Sequence, residues 1–387
     1  MPIKIPFEAA DILLPAAGFE KWATIACDQF TSEPEYWREV ENEVSDAPSC
    51  LRITLPEVYL TEPDVGARIE SINRTMNEYL DEGIFKEYKN AMILVERTLA
   101  DGRTRRGVVG AVRLDSYSFE AGAKPPIRPT EGTVLSRIPP RVKIRENAPL
   151  ELPHVMLLID DRERSVIESI SSKGLEKLYD FSLMLGGGSL RGWLIPEKEQ
   201  KRLTDALQAL AGDGDEPLLF AVGDGNHSLA TAKSCAGDGL ALVEIVNIHD
   251  PALDFEPIYR VMFGVNPADV VAKAEKAFHS GNRRVSWISA EGEGSFFADG
   301  LESKVLQDFI DSYIETHPGA EVDYIHGRDS LEVLAKRENA IGFLFGGITK
   351  EELFPYVKQN GPLPRKTFSM GEARDKRYYM EARRIKR

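Results

Sequence analysis

Residues 218–232 read LLFAVGDGNHSLATA, and this stretch decides the fold around it. An apolar run ends in Gly223-Asp224-Gly225, and helix-forming residues follow directly. A short apolar run closed by glycines and followed by helix formers predicts a buried strand, a tight turn and a helix. Such a turn leaves the first N–H groups of the helix without backbone acceptors, at the positive end of the helix dipole. The stretch therefore predicts an anion pocket.

The turn is dense in polar side chains. Asp224, Asn226, His227 and Ser228 lie within five positions, whereas a purely structural turn needs one cap. We expect Asn226 or Ser228 to cap the helix. Asp224 and His227 add an acid and an imidazole that titrates near neutral pH. The alternative is a plain strand-to-helix connection, but the density of polar groups favours an anion pocket with proton-transfer groups beside it.

Composition limits the class of protein. The chain has 387 residues, 42% of them hydrophobic, which is enough for a large core and more than one domain, or one domain with a sizeable appendage. Its net charge of −14 repels nucleic acid and anionic membranes, so we expect neither as a partner. Cys27, Cys50 and Cys235 follow no CxxC spacing, which favours a reducing compartment. Without a signal-peptide core or a membrane-length apolar run, the expected location is the cytoplasm.

Strand-like and helix-like patterns alternate along most of the chain. Strands are predicted at 51–55, 91–99, 107–114, 155–159, 175–185, 190–195, 240–248, 285–297 (a pair) and 340–345. Helices are predicted at 33–44, 67–85, 164–172, 197–211, 268–277, 304–315 and after a capping box at 349–352. The Gly186–Gly188 run is interpreted as a hairpin turn, because no Lys-Ser/Thr pair follows it. This order indicates a mixed α/β (α+β) fold with some parallel pairing.

Three regions are predicted: an N-terminal α/β region at 1–150, a core with the GDGNHS loop at 151–266, and a C-terminal α/β subdomain at 267–387 that closes the site. The stretch 124–153 is Pro-rich, is predicted to be irregular and holds six basic residues in an acidic protein. This indicates contact with an anion, although a solvated loop fits the charge equally well. Near the C-terminus, Arg365, Lys366 and Thr367 form a second candidate phosphate contact, and the final basic residues are interpreted as a solvated tail.

Several blocks resemble domain-of-unknown-function family 1015. The family's ADGHHRYETA block is similar to residues 223–232, and its HExT block with the arginines that follow is similar to Thr130–Thr133, Arg141 and Arg145. Its LPTHR and PPKST blocks resemble residues 256–260 and 363–367. The resemblance runs through nearly the whole chain in the family's order.

The turn is also similar to that of the ParB/sulfiredoxin-like fold, which includes ParB nucleotidases, sulfiredoxins and free-serine kinases. This resemblance implies a mixed sheet with a strand–turn–helix core. Ser228 stands where these proteins have an arginine, which removes a bidentate phosphate contact, and Asn226 replaces the first histidine. Asn226 also stands where sulfiredoxin chemistry needs a cysteine, so that activity is excluded. Kinase activity then depends on other cations such as Arg141, Arg145 or Lys366.

The resemblance implies phosphoryl transfer from a nucleoside di- or triphosphate, with Mg²⁺, to a small hydroxyl compound, free L-serine among them. The catalytic candidates are Asp224 (also the Mg²⁺ ligand), Glu131, His227 and, as a weaker base, Asp28. The candidates for holding nucleotide and phosphate are Gly225, Asn226, Ser228, Thr133, Arg141, Arg145, Lys366 and Thr367. For each carboxylate, a helix cap or a surface ion pair is the alternative role.

Two other function classes stay open. A nucleotide hydrolase would use water in place of the substrate hydroxyl, and a non-catalytic module would bind a nucleotide or metabolite as a sensor. The six scattered histidines show no HxxxH or HxH spacing, which disfavours a conventional metal hydrolase. The expected partners are a small-molecule substrate and a nucleotide, and a homodimer is one assembly compatible with the sequence.

Overall fold

The structure is a computed structural model that describes residues 3–212, 214, 216–235, 237–278 and 280–385. It divides into two compact units. The first unit comprises Met1–Leu253 and the returning segment Gly371–Arg387, and the second comprises Asp254–Met370. Among the described residues, no helix combines the length and apolar character needed to cross a membrane.

Strands and helices alternate through both units. The strands of the first unit are β1 (Phe7–Glu8), β2 (Ala10–Pro15), β3 (Phe85–Ala91), β4 (Ile93–Thr98), β5 (Thr104–Arg113), β6 (Ile127–Pro129), β7 (Leu150–Glu151), β8 (Met156–Ile159), β9 (Glu176–Ser182), β10 (Ser189–Leu194), β11 (Phe220–Asp224), β12 (Leu240–Asn247) and, late in the chain, β20 (Arg383–Arg384). Its helices are α1 (Phe19–Trp22), α2 (Pro34–Val44), α3 (Val65–Asp81), α4 (Ile138–Arg145), α5 (Glu197–Ala211) and α6 (Asn226–Ser234).

The second unit has strands β13 (Phe255–Pro257), β14 (Tyr259–Phe263), β15 (Arg283–Ser289), β16 (Glu293–Ala298), β17 (Glu321–Ile325), β18 (Ala340–Phe345) and β19 (Phe368–Met370). Its helices are α7 (Pro267–Ala277), α8 (Glu302–Thr316), α9 (Arg328–Ala335) and α10 (Lys350–Asn360).

A mixed nine-stranded sheet organises the first unit. Its order is β6-β11-β8-β12-β5-β4-β10-β9, and β1 pairs with β5 beside this path. The pairs β6–β11 and β8–β12 are parallel, and the other pairs are antiparallel. The predicted mixed α/β fold with some parallel pairing is therefore confirmed.

Side chains alternate across this sheet because the strand repeat is two residues. Ile93 and Val95 belong to one buried apolar cluster, with Trp37 of α2 and Met76 of α3. Leu94 belongs to the other cluster, with side chains of α5 and α6. Both faces of the sheet are thus covered, as is usual where parallel strands occur.

The returning segment is fixed in the first unit by buried charges. The Arg377 guanidinium pairs with Glu244 (2.8 Å) and Glu381 (2.7 Å), and all three side chains are at most 4% exposed. Arg383 pairs with Glu151 at 2.6 Å. Removing one partner would leave a buried charge without compensation, so these pairs hold the segment in one register.

The second unit is built on an antiparallel sheet in the order β16-β15-β18-β14-β17. Helices α7 and α8 cover one face through a cluster that includes Val270, Leu306, Ile310 and Phe343. β13 and β19 form a separate antiparallel pair.

Many predicted elements are confirmed where the sequence signal is local. Helix α5 spans the predicted 197–211, the hairpin of β4 and β5 turns through Asp101 and Gly102, and β9 and β10 pair across the glycine run. The capping box of Thr349 and Glu352 opens α10.

The predicted strand at 51–55 is wrong. Cys50–Ile53 forms a 3-10 turn, because the Ser49 side chain accepts a hydrogen bond from the Leu51 N–H and so opens a turn. This local side-chain bond overrides the alternating pattern of apolar residues. The stretch 124–153, interpreted as irregular, also contains helix α4.

The predicted helix at 164–172 is also wrong. Arg164 has a positive φ of 54°, which a right-handed helix does not accommodate. The buried Asp161 carboxylate accepts hydrogen bonds from the Val166 N–H (2.7 Å) and the Ser165 hydroxyl (3.2 Å). These hydrogen bonds stabilise the segment as a loop. The helical spacing of its apolar residues therefore does not lead to a helix here.

Candidate functional site

The turn between β11 and α6 requires a glycine at position 225. Gly225 has φ +78°, and a Cβ atom added there would lie 2.9 Å from the Cα atom of Val155. The left-handed backbone and the close approach both exclude a side chain. Gly225 is the residue before the helix and has no side chain to serve as a cap, so the predicted cap by Asn226 or Ser228 is wrong. The N–H groups of the first turn of α6 lie next to this glycine.

The sheet topology brings distant segments to this turn. β6 runs parallel to β11, with Val222 opposite Pro129, so the residues after both strands emerge at one edge of the sheet. β8 runs antiparallel to β11 with Asp224 opposite Met156, so β8 begins at that edge. Glu131, Asp224 and His154 are therefore placed at the same edge.

Asp224 faces a cation from the returning segment. One carboxylate oxygen accepts a hydrogen bond from the Gly225 N–H at 2.9 Å. The other lies 3.7 Å from the Nζ atom of Lys376, and the two side chains are 17% and 11% exposed. An ion pair this well shielded from solvent is stronger than a surface pair and keeps a positive charge beside the amino end of α6.

Asp28 forms a second acidic group near the same cation. Its Oδ2 atom lies 3.8 Å from the Nε2 atom of His154, and its Oδ1 atom accepts a hydrogen bond from the Gln29 amide at 2.9 Å. Burial raises the pKa of Asp28, but the His154 imidazole, the Gln29 amide and the Lys376 ammonium together bring it below the ordinary value of an aspartate. Asp28 is therefore an ionised carboxylate at neutral pH, the protonation state that a base requires.

A tyrosine of the returning segment is hydrogen-bonded to the His154 ring nitrogen that does not face Asp28. Its Nδ1 atom is 3.0 Å from the Tyr379 hydroxyl, and the Cys27 N–H donates to that hydroxyl at 3.2 Å. Burial raises the pKa of Tyr379 well above its usual range. Burial, with help from the charge of Asp28, raises the pKa of Cys27 to about 12, so the thiol is protonated and is a poor nucleophile.

His227 has a bonding role in the structure. Its Nε2 atom accepts a hydrogen bond from the Val134 N–H at 3.2 Å, so it ties the segment after β6 to the first turn of α6. A ring nitrogen that accepts this bond carries no proton, and the other nitrogen does. Glu131 and Thr133 lie half-buried in the segment that His227 holds, with the Thr133 side chain beside the Tyr117 hydroxyl.

Asn226 and Ser228 occupy different surroundings on α6. The Asn226 amide nitrogen donates to the Val222 carbonyl at 3.3 Å, while its Oδ1 atom is buried and has no hydrogen-bond partner among the described residues. Ser228 faces an open cavity of about 140 Å³ that is lined by side chains of α3, α4, α6, residues 53–60 and the returning segment.

Arg141 and Arg145 are both in ion pairs. Arg141 binds the carboxylate of Glu57, and Arg145 binds that of Glu151, which also accepts from Arg383. Both guanidinium groups line the same cavity. For either one to bind a phosphate, it would have to exchange its present carboxylate partner.

Lys366 and Thr367 lie in the second unit. Lys366 is exposed and has a φ of +59°. Thr367 is buried, and its hydroxyl donates to the Pro364 carbonyl at 2.6 Å, so it stabilises the local turn. Their predicted contact with phosphate stays a prediction.

The side chains around the turn form one polar cluster of Asp28, His154, Asp224, Lys376 and Tyr379. Three of these residues were absent from the sequence-based candidates: His154, Lys376 and Tyr379. His154 was visible only as a histidine before a predicted strand, and Lys376 only as part of a basic tail. The signal that could have found Lys376 and Tyr379 is the apolar and aromatic character of residues 378–382, which is unusual for a solvated tail.

The fit of a metal ion can be judged from the donor atoms. In the part of the chain that the structure describes, no group of three or more His, Cys, Asp or Glu side chains is arranged around a metal position. Mg²⁺ usually takes only one or two protein carboxylates and completes its shell with phosphate oxygens and water. The Asp224 carboxylate and the orphaned Oδ1 atom of Asn226 are hard oxygen donors of the required kind.

The sequence matches a known protein family over nearly its whole length. The model of the family described as "Protein of unknown function (DUF1015)" matches residues 5–384. The chain belongs to the DUF1015 family. This match confirms the family that the sequence blocks predicted.

One curated relative of this DUF1015 chain is the ATP-dependent dethiobiotin synthetase BioD of Pseudomonas aeruginosa (strain LESB58), which is 38% identical over 78 residues. That match spans 19% of this chain and only 31% of the relative's length.

Similar solved structures include a free serine kinase in complex with AMP, with 13% identity, a TM-score of 0.40 and coverage of 72% of this chain and 91% of that one. A conserved hypothetical protein from Pyrococcus furiosus has 14% identity, a TM-score of 0.37 and coverage of 70% and 90%. SbnI with a C-terminal truncation, from Staphylococcus aureus, has 9% identity, a TM-score of 0.38 and coverage of 68% and 82%.

Proposed function

We propose that this protein is a nucleotide-dependent phosphotransferase that acts on the hydroxyl group of a small metabolite. The observation that carries the proposal is the convergence at one sheet edge of the amino end of α6, the Asp224–Lys376 pair and the Asp28–His154 pair. Phosphoryl transfer needs donors for phosphate oxygens, a cation for the developing charge and a group that receives the proton. Each of these requirements has a candidate residue at this edge.

In the proposed reaction, a phosphate group of the nucleotide lies against the backbone N–H groups that follow Gly225. The Lys376 ammonium would balance the phosphate charge. Its distance of 3.7 Å from the Asp224 carboxylate and its effect on the pKa of Asp28 place this cation beside the turn. The hydroxyl oxygen of the acceptor attacks phosphorus, the bond from phosphorus to the leaving nucleotide oxygen breaks, and the hydroxyl proton passes to Asp28. The products are the phosphorylated acceptor and the shortened nucleotide.

His154 has a positioning role in this proposal. Its imidazole lies between the Tyr379 hydroxyl and the Asp28 carboxylate, so it orients Asp28 and lowers its pKa. When bound, Mg²⁺ would be held by Asp224 and the Asn226 Oδ1 atom and would neutralise phosphate charge. Glu131 remains a further candidate for the base at the same edge.

The proposal is tested by a transfer assay. A panel of nucleotides with Mg²⁺ is first screened by thermal shift, because a ligand that binds only the folded protein raises its melting temperature. Phosphate release and phosphorylated product are then measured with and without acceptor alcohols, beginning with L-serine. Product that forms only with an acceptor supports the transferase. Phosphate release that is independent of any acceptor would establish a nucleotide hydrolase instead.

A second candidate is non-catalytic nucleotide binding. It is favoured by Ser228, which replaces the arginine of similar turns, and by Arg141 and Arg145, whose charges are already paired with carboxylates. Tight binding of a nucleotide without any turnover would support this candidate and would contradict the transferase.

A further inference from the structure

The cavity beside α6 has an apolar wall. Its space of about 140 Å³ is bounded by Ile53, Leu55, Leu60, Met76, Ile144 and Leu152, together with smaller and polar side chains. Met76 and Ile53 are buried members of one core cluster. A cavity of this size, about 150 Å³ and lined by aliphatic side chains, holds a molecule the size of benzene.

The charged side chains of the wall are compensated by each other. Arg141 is paired with Glu57, Arg145 with Glu151, and His154 lies beside Asp28. Among the described residues that line it, the charged side chains are already paired, so the wall is poorly suited to a second phosphate group. Because a charged ligand group would have to compete with a charge already present in one of these partly buried pairs, the cavity favours a neutral, apolar body.

The cavity also borders the site itself. Ser228, in the first turn of α6, and Thr231, one turn later, line it on one side, while His154, Tyr379 and Cys27 line it on another. The Nε2 atom of His154 lies 3.8 Å from the Asp28 carboxylate. A ligand body in this cavity would thus have one end near the base and near the amino end of α6.

We infer that the acceptor of this enzyme is an alcohol with an apolar body of about six carbon atoms, bound in this cavity with its hydroxyl toward Asp28. This inference rests on the proposed phosphotransferase function and specifies its substrate class. It predicts that an alcohol with a ring-sized apolar body binds better than L-serine, whose side chain has one carbon and which carries two charged groups.

The test uses the full chain with ¹³C-labelled methionine methyl groups. The chain has eight methionines, and Met76 is assigned by the change Met76→Leu. Benzyl alcohol and L-serine serve as the two probes at equal concentrations. We expect benzyl alcohol to shift the Met76 methyl resonance in a saturable way and L-serine to leave it in place. Saturation by L-serine alone would overturn the inference.

The change Leu60→Gln is expected to weaken benzyl alcohol binding by about tenfold, because a polar amide replaces apolar wall. Leu60 is only half-buried, so this variant tolerates the change better than one at Met76. Met184→Gln is the matched control, since Met184 is also half-buried and is not among the residues that line the cavity. Equal loss of binding in both variants would contradict the assignment.

Adenosine is the third probe. If adenosine shifts the Met76 resonance and displaces benzyl alcohol, the cavity belongs to the nucleoside and the inference is wrong. Nucleotide binding is followed separately by thermal shift. A nucleotide that stabilises the protein while benzyl alcohol leaves Met76 unmoved overturns the acceptor class but leaves the proposed function standing; failure of both overturns the proposed function.

Discussion

Replacement of Gly225 by alanine is the sharpest perturbation of the strand–turn–helix corner. The residue has φ +78°, and an L-residue in the left-handed region costs about 1–2 kcal/mol. The new Cβ atom would also lie 2.9 Å from the Val155 Cα atom and 3.0 Å from its Cγ2 atom. Relief of such overpacking costs another ~1–3 kcal/mol. We therefore expect Gly225→Ala to lower the free energy of unfolding by about 2–5 kcal/mol.

The matched control is Gly83→Ala. Gly83 has a similar φ of +69°, but no atom of the described residues lies within 4 Å of its added Cβ atom, so only the backbone cost of about 1–2 kcal/mol applies. Urea denaturation of both variants gives the difference between their free energies of unfolding. Nucleotide binding is measured by thermal shift in the same samples. Because Val155 must move, Gly225→Ala is also expected to lose nucleotide binding, whereas Gly83→Ala keeps it. Equal stability of the two variants, with binding intact in both, would refute this account of the corner.

Three further predictions concern the charges around the corner. Asp28→Asn should lower product formation by about 10²–10⁴-fold with nucleotide binding retained, whereas Asp160→Asn, which removes the partner of His249 at the other end of β8, should leave the rate unchanged. Lys376→Met should weaken nucleotide binding, measured by calorimetry, by at least about tenfold, because it removes the cation beside Asp224. Asp28 has a lowered pKa in the folded chain, so its stabilising effect is present above the pKa of an unfolded aspartate and is lost as the pH falls through the folded value. The difference in unfolding free energy between the native chain and Asp28→Asn should accordingly shrink as the pH falls below about 4, which urea titrations at several pH values would show.

The local part of the corner could be predicted from the sequence because neighbouring residues determine it. The apolar run, Gly225 and the helix formers after it encode β11, the turn and α6 within fifteen residues. The same holds for the capping box of α10. The predicted cap failed because a glycine in the left-handed conformation starts the helix, and this geometry depends on the tertiary approach of Val155.

The rest of the cluster could not be predicted because its residues are far apart in the sequence and come into contact only in the folded chain. His154 and Tyr379 are 225 positions apart in the chain and are hydrogen-bonded. Lys376 was hidden in a basic tail whose burial depends on the pairs of Arg377 with Glu244 and Glu381. Asp28 was a candidate from sequence, but its partners were not. Arg141 and Arg145 were predicted as cations for phosphate, and their pairing with Glu57 and Glu151 depends on contacts that no spacing reveals.

The proposed function requires nucleotide phosphate to bind to the first turn of α6. The chain has six histidines, so ¹⁵N-histidine labelling gives at most six backbone signals, and His227 lies in that first turn. Each signal is assigned by a single His→Gln change. On titration with nucleotide and Mg²⁺, we expect the His227 N–H signal to shift and to saturate at the concentration that saturates the thermal shift, while the signals of His249 and His317 stay in place. A nucleotide that stabilises the protein and leaves the His227 signal unmoved would contradict phosphate binding at this turn.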